Sequence, residues 1–306
     1  MPHAGAVEWA VFGALVAGLL FVDIAYASRG PRGHSRRKAW TWSAIWIGLA
    51  LAFGAWIALR LGSDAALTYI TAYFLEKSLS IDNLVVFALV FAQTGIPPAL
   101  QHRALFWGVV GALFMRALLI GFGIYLLERF DWLVYLFGAL LLYAAFRMLK
   151  GDEQRQWIEN SCRLCSSWIS RFIPITPKSQ GERFIVRIDG KRYATPLLVA
   201  LTVLESADFV FAIDSIPAVF AVTRDPFLVY TSNVFALLGL RSLYAVIGDV
   251  VARFRYLRIG LAVLLVFVAA KLMLSGLVHV PPGASLAVIA AILVVAIGAS
   301  RLRNEH

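Results

Sequence analysis

The stretch TVLESADFVFAIDSIPAVFAV, Thr202 to Val222, has the length and apolar character of a membrane-spanning helix, yet it carries Glu205, Asp208, Asp214 and Pro217. An ionised aspartate at the centre of a spanning helix costs about 2.5–3.5 kcal/mol on insertion scales. Three in one span therefore need a reason. A proline at 217 also cannot donate to the carbonyl of Ile213, so it predicts a break in the helix beside Asp214, tolerable in hydrocarbon only against protein, water or an ion.

The rest of the chain is built for the same solvent. It has 306 residues, 60% of them hydrophobic and 15% charged, against about 25% charged in an average globular chain. Apolar runs near 20 residues recur along it, enough to cross a hydrocarbon core of roughly 30 Å. Beyond 195–222, spans are expected at 6–27, 39–59, 66–93, 104–127, 132–149, 227–250, 257–277 and 284–300, which makes about nine in an all-α polytopic membrane protein. The first run ends in Ala25-Tyr-Ala27, like a signal-peptidase site. Glu8 precedes it and no Lys or Arg does, the reverse of a signal peptide, so a retained helix with its N-terminus outside is expected.

Charge supports that topology. The loops placed inside (28–38, 94–103, 147–194, 251–258 and the tail) hold 21 of the 28 Lys and Arg residues. Only Arg60, Arg129 and Arg224 fall outside, and Lys77, Arg116, Arg241 and Lys271 lie within spans. The formal charge of +10 is then a positive-inside signal rather than a nucleic-acid footprint. A prokaryotic plasma membrane with the C-terminus in the cytoplasm is the expected location. In the loop before span six, Arg183 to Tyr193 alternates apolar and charged residues around Asp189-Gly190, a hairpin signature with a type I′ turn. Cys162 and Cys165 form an isolated C-x-x-C, which carries little weight alone.

The acids recur. Glu76-Lys-Ser-Leu-Ser-Ile-Asp-Asn-Leu84 aligns with Asp208-Phe-Val-Phe-Ala-Ile-Asp-Ser-Ile216, and Phe114-Met-Arg-Ala-Leu118 with Gly239-Leu-Arg-Ser-Leu243, matching Arg116 to Arg241. Spans three to five and six to eight then form two three-helix units, and an odd number of spans per unit inverts the second relative to the first. Inverted repeats with broken helices are a recurrent transporter design. The expected division is two N-terminal spans (1–65), first repeat (66–150), cytoplasmic loop with hairpin (151–194), second repeat (195–278) and a final span with tail (279–306).

Glu76, Asp82, Glu205, Asp208 and Asp214 together would cost about as much, if left unpaired, as a domain's whole stability of about 5–15 kcal/mol. Protons, basic partners or a cation must neutralise them. Pairing with Lys77, Arg116 and Arg241 is one solution and a proton relay another. A hard-cation site accounts best for a duplicated acid followed directly by the oxygen donors Asn83 and Ser215, since carboxylate, amide and hydroxyl oxygens suit Mn²⁺, Ca²⁺ or Mg²⁺. No span carries His or Cys. On a regular helix Asp208 and Asp214 point about 120° apart, so an interrupted helix would bring them to one site more readily. Asp23 and Asp249 lack repeat counterparts and read as supporting.

Tyr193-Ala-Thr-Pro196, Glu205-x-x-Asp208, Phe211-Ala-Ile-Asp-Ser-Ile-Pro-Ala-Val-Phe220 and Tyr230-Thr-Ser-Asn-Val-Phe-Ala-Leu-Leu-Gly-Leu-Arg-Ser-Leu243 resemble the TerC family, its Alx-type members in particular, as do Glu76 to Asn83 and Phe114-Met-Arg-Ala117. The likeness covers essentially the whole chain. It implies manganese export, a historical association with tellurite resistance, and Glu76, Asp82, Glu205, Asp208 and Asp214 as metal-handling acids. Arg116 and Arg241 support them. The expectation is a secondary transporter exporting Mn²⁺ from the cytoplasm, in exchange for protons, with Mn²⁺ as transported substrate and no organic cofactor. The rivals are a scaffold or stress-resistance protein acting through the 147–194 loop, a Ca²⁺/H⁺ exchanger, and a carrier of oxyanions, the last disfavoured by five acids. An enzyme is not expected, because no nucleophile–base pair, cofactor fingerprint or zinc-protease motif is present.

Overall fold

The computed structural model describes residues 4–27, 36–150, 153–176, 181–247, 255–278 and 280–302. Asp249, most of the basic loop 28–38 and the tail beyond 302 lie outside them, as does the side chain of Asp23. The helices are α1 (Ala6–Ala27), α2 (Arg36–Leu61), α3 (Ser63–Thr94), α4 (Pro98–Arg129), α5 (Leu133–Lys150), α6 (Glu153–Ser170), α7 (Pro196–Phe220), α8 (Pro226–Leu238), α9 (Leu240–Ile247), α10 (Arg255–Met273) and α11 (Pro282–Leu302). Two short strands, β1 (Ile185–Ile188) and β2 (Lys191–Ala194), lie between α6 and α7.

The chain is all-α apart from that hairpin. Among the described residues five helices are long and apolar enough to cross a membrane: Ala39–Leu61, Pro98–Arg129, Leu133–Lys150, Pro196–Phe220 and Pro282–Ser300. The 32-residue α3 falls outside this group because Asp64, Glu76, Lys77 and Asp82 dilute its apolar content. Along α4 the residues Phe114, Leu118, Phe122 and Tyr125 form one exposed stripe at spacings of four, four and three. Such a continuous apolar face belongs against lipid rather than water.

The expectation of a helix break at Pro217 is corrected. Pro217 does not divide α7, which runs unbroken from Pro196 to Phe220. The proline sits in the last turn, where the chain is already ending and Val222 N–H tightens onto the Val219 carbonyl at 2.8 Å. Likewise α3 continues through Asp82-Asn83. The interruption falls instead within the expected span 227–250, where α8 gives way to α9 at Gly239. Lys77 reaches that junction and donates to the Ala236 carbonyl at 3.1 Å, satisfying an acceptor near the end of α8. A Cβ on Gly239 would lie 2.6 Å from Lys77 Nζ, so any larger residue there would displace the ammonium.

At the centre α3 packs on α7. Around that pair α3 also meets α8, α7 meets α4, and α5 lies along α10. One apolar core joins α2, α3, α7 and α8, the other α5, α7 and α10. Rings knit α1 and α2 onto the first core, Phe53 lying 4.9 Å from Phe235 and Trp9 5.2 Å from Phe227. The hairpin pairs Ile185 with Ala194 and Ile188 with Lys191, and both turn residues, Asp189 and Gly190, have positive φ as a type I′ turn requires. Thr195 Oγ1 donates to the Arg183 carbonyl at 2.8 Å, which ties the ribbon to the start of α7.

Candidate metal site between α3 and α7

Both central helices present their acids in the same order. Glu76 and Asp82 on α3, like Asp208 and Asp214 on α7, are six residues apart and on an unbroken helix point about 120° from each other. The first acid of each pair joins a buried cluster and the second a cavity, whose wall Glu76 also reaches. Because neither helix breaks, the five acids do not converge on one cage. Among the described residues no three Asp, Glu, His or Cys side chains form a ready metal-binding group.

Arg116 of α4 is the hub of the buried cluster, and only 1% exposed. Its Nε and Nη2 donate to the two Asp208 carboxylate oxygens at 3.4 and 3.3 Å, while Nη1 donates to Glu76 Oε1 and to Asn233 Oδ1 of α8. Ser215 Oγ also donates to Glu76 Oε1, at 3.2 Å. This is the charge-assisted fork by which guanidinium holds planar carboxylates. It shows that arginine pairing, the rival reading, holds for Glu76 and Asp208. Lys77 and Arg241 take no part in these bonds: Lys77 serves the end of α8, and Arg241 stands half-buried on α9.

Beside the cluster lies a cavity of about 290 Å³. Glu76, Asp82, Asn83, Asp214 and Ser215 all line it, with Arg147, Met148, Trp157 and Arg258 around them. Asp82-Asn83 and Asp214-Ser215, the dipeptides of the recurring acid motif, thus face one space. Arg147 holds Asp214 at 3.2 Å with both side chains partly exposed, a geometry worth little net energy. Glu205 is set apart. It does not line the cavity, and its carboxylate lies where a Cβ of Gly111 in α4 would sit.

Three participants escaped the sequence reading. Asn233 sits in Thr231-Ser-Asn233, a polar run inside an otherwise apolar helix, and that run was a usable signal. Arg147 and Arg258 counted as cytoplasmic loop charges, yet both are helical and face the acids. Nothing local distinguishes a basic residue at a helix end that turns inward from one that turns to water.

The comparisons with known proteins agree on kinship. An uncharacterised membrane protein of Myxococcus xanthus is 42% identical over 298 residues, covering 97% of this chain and 93% of that protein. The protein of Escherichia coli K12 named "Putative membrane-bound redox modulator Alx" is 39% identical over 295 residues, covering 94% and 91%. A further uncharacterised membrane protein, of Rickettsia bellii, is 34% identical over 298 residues, covering 97% and 98%. No solved structure matches. Residues 61–306 match the family described as "Integral membrane protein TerC family", and the chain, a multi-pass integral membrane protein, belongs to that family.

Proposed function

We propose that the protein is a secondary transporter that exports a hard divalent cation, Mn²⁺, from the cytoplasm in exchange for protons. The observation that carries this reading is the cavity on which Asp82-Asn83 and Asp214-Ser215 open together, with Glu76 at its wall. Its donors are all oxygens, the ligand class of Mn²⁺, Ca²⁺ and Mg²⁺. The weak Asp214–Arg147 pair is one that an incoming cation can replace. Drawing Asp82, Asp214 and Glu76 onto one ion is the conformational step the reading requires. Protonation from the far side then releases the ion, because a neutral carboxyl is a poor ligand.

Inverted repeats of three helices supply the alternating geometry. Under exchange of the halves, α3 corresponds to α7, α4 to α8–α9, and α5 to α10. The contacts α3 with α8 and α7 with α4 are partners under that exchange, and α5 with α10 is its own partner. Nine spans, with the N-terminus outside and the C-terminus in the cytoplasm of a prokaryotic cell, place Arg147, Trp157 and Arg258 at the inner mouth. Proteoliposomes with an imposed pH gradient test the proposal, and Mn²⁺ flux indifferent to the gradient would refute proton exchange. Ca²⁺ competing equally with Mn²⁺ would favour a Ca²⁺/H⁺ exchanger.

Two rivals have direct tests. A scaffold acting through the cytoplasmic loop loses function when residues 183–193 are replaced by a short Gly-Ser linker, whereas an exporter is expected to keep more than about half its flux, loops tolerating such changes. The relative's name raises a redox reading, for which Cys162 and Cys165 are the only thiols in the chain. Burial raises both thiols above their ordinary pKa, the opposite of a reactive thiolate. The Cys162→Ser, Cys165→Ser double variant is therefore expected to export Mn²⁺ at the parental rate, measured as cellular manganese content.

A further inference from the structure

We infer that Arg116 is a tethered counter-ion, which holds Glu76 and Asp208 together while the cavity is ion-free and loosens its hold on Glu76 when a divalent cation arrives. This rests on the transport reading above and assigns the cluster beside the cavity a part in it.

The hold on the two acids is unequal. Asp208 takes the guanidinium through both of its oxygens. Glu76 offers Arg116 a single oxygen, Oε1, shared with Ser215. The other, Oε2, is buried and has no hydrogen-bond partner among the described residues. A buried carboxylate oxygen left this way is costly and rare. Glu76, with Ser215, also lines the cavity together with Asp82 and Asp214, whereas Arg116, Asp208 and Asn233 do not. One carboxylate thus borders two environments, with one oxygen on a fixed cation and the other buried and uncommitted at the cavity wall. A divalent ion engaging Oε2 withdraws charge from Oε1 and weakens its bond to Nη1, while the Asp208 fork keeps Arg116 in place. In the ion-free state the same bond spares Glu76 from being an uncompensated buried charge. Arg116 and the substrate cation therefore compete for Glu76.

The test is Mn²⁺ binding to the purified full-length chain, by calorimetry and by the Mn²⁺-dependent rise in unfolding temperature, for the parent, Arg116→Gln and Arg116→Lys. Removing the competitor is expected to tighten Mn²⁺ binding about ten- to a hundredfold in Arg116→Gln, the factor that one charge-assisted hydrogen bond represents. Mn²⁺ should raise its unfolding temperature more than the parent's. Arg116→Lys keeps a charge without the fork and is expected to fall between the two. Equal or weaker binding in Arg116→Gln overturns the inference, and if that variant does not fold, equal or weaker binding in Arg116→Lys does so. Should the parent itself fail to bind Mn²⁺, the transport reading fails and the inference falls with it. Binding by the parent without tightening in the variants defeats the inference alone.

Discussion

Asp82→Asn and Asp214→Asn are each expected to reduce Mn²⁺ efflux more than about a hundredfold while leaving the protein folded in the membrane. Asparagine keeps the size and one acceptor oxygen of aspartate but neither its charge nor its capacity to exchange a proton. Losing one charged ligand contact of about 1.5–3 kcal/mol accounts for roughly ten- to a hundredfold. Losing the protonation step as well stops turnover. Folding is spared because both aspartates are only half-buried at the cavity, and the ion pair of Asp214 with Arg147 contributes little. Manganese content of cells carrying each variant is the measurement, with membrane yield as control. Normal efflux by both would remove the cavity from the mechanism.

The second large effect falls on stability. Arg116→Leu strips the only cation from between Glu76 and Asp208 in the described cluster and leaves two buried carboxylates facing each other. Breaking a buried pair in this way costs about 3–5 kcal/mol, enough to empty the folded state of a marginally stable membrane protein. Loss of folded protein from the membrane is expected. Adding Glu76→Gln and Asp208→Asn to the same chain removes the stranded charges and is expected to restore most of the yield, though not transport. Yield restored by the triple variant identifies charge as the cause. A triple variant as unstable as Arg116→Leu would point instead to lost packing of the guanidinium, which is among the largest fully buried side chains.

The acid pairs show how far local pattern reaches. Their six-residue spacing and the oxygen donors that follow them were legible as a duplicated motif, and the cavity unites Asp82-Asn83 with Asp214-Ser215. The inference that Pro217 breaks α7 was wrong because a proline's effect depends on its distance from the helix end, and here the chain turns within one turn of it. With α7 unbroken, Asp208 and Asp214 face different neighbours, so one expected cage becomes a buried cluster and an open cavity. The real interruption, at Gly239, answers to Lys77 from another helix. It carried no local mark beyond a glycine.

What the sequence determined by itself was everything that follows from solvent and periodicity. Long apolar runs demand lipid, alternation about Asp189-Gly190 makes a hairpin, and the expense of acids in hydrocarbon singles them out. Only the tertiary structure decided which base each acid meets. Arg116, Asn233 and Arg147 come from separate helices, and the choice among partners depends on helix rotation and packing. Those are set by contacts between residues distant along the chain, where no spacing rule operates.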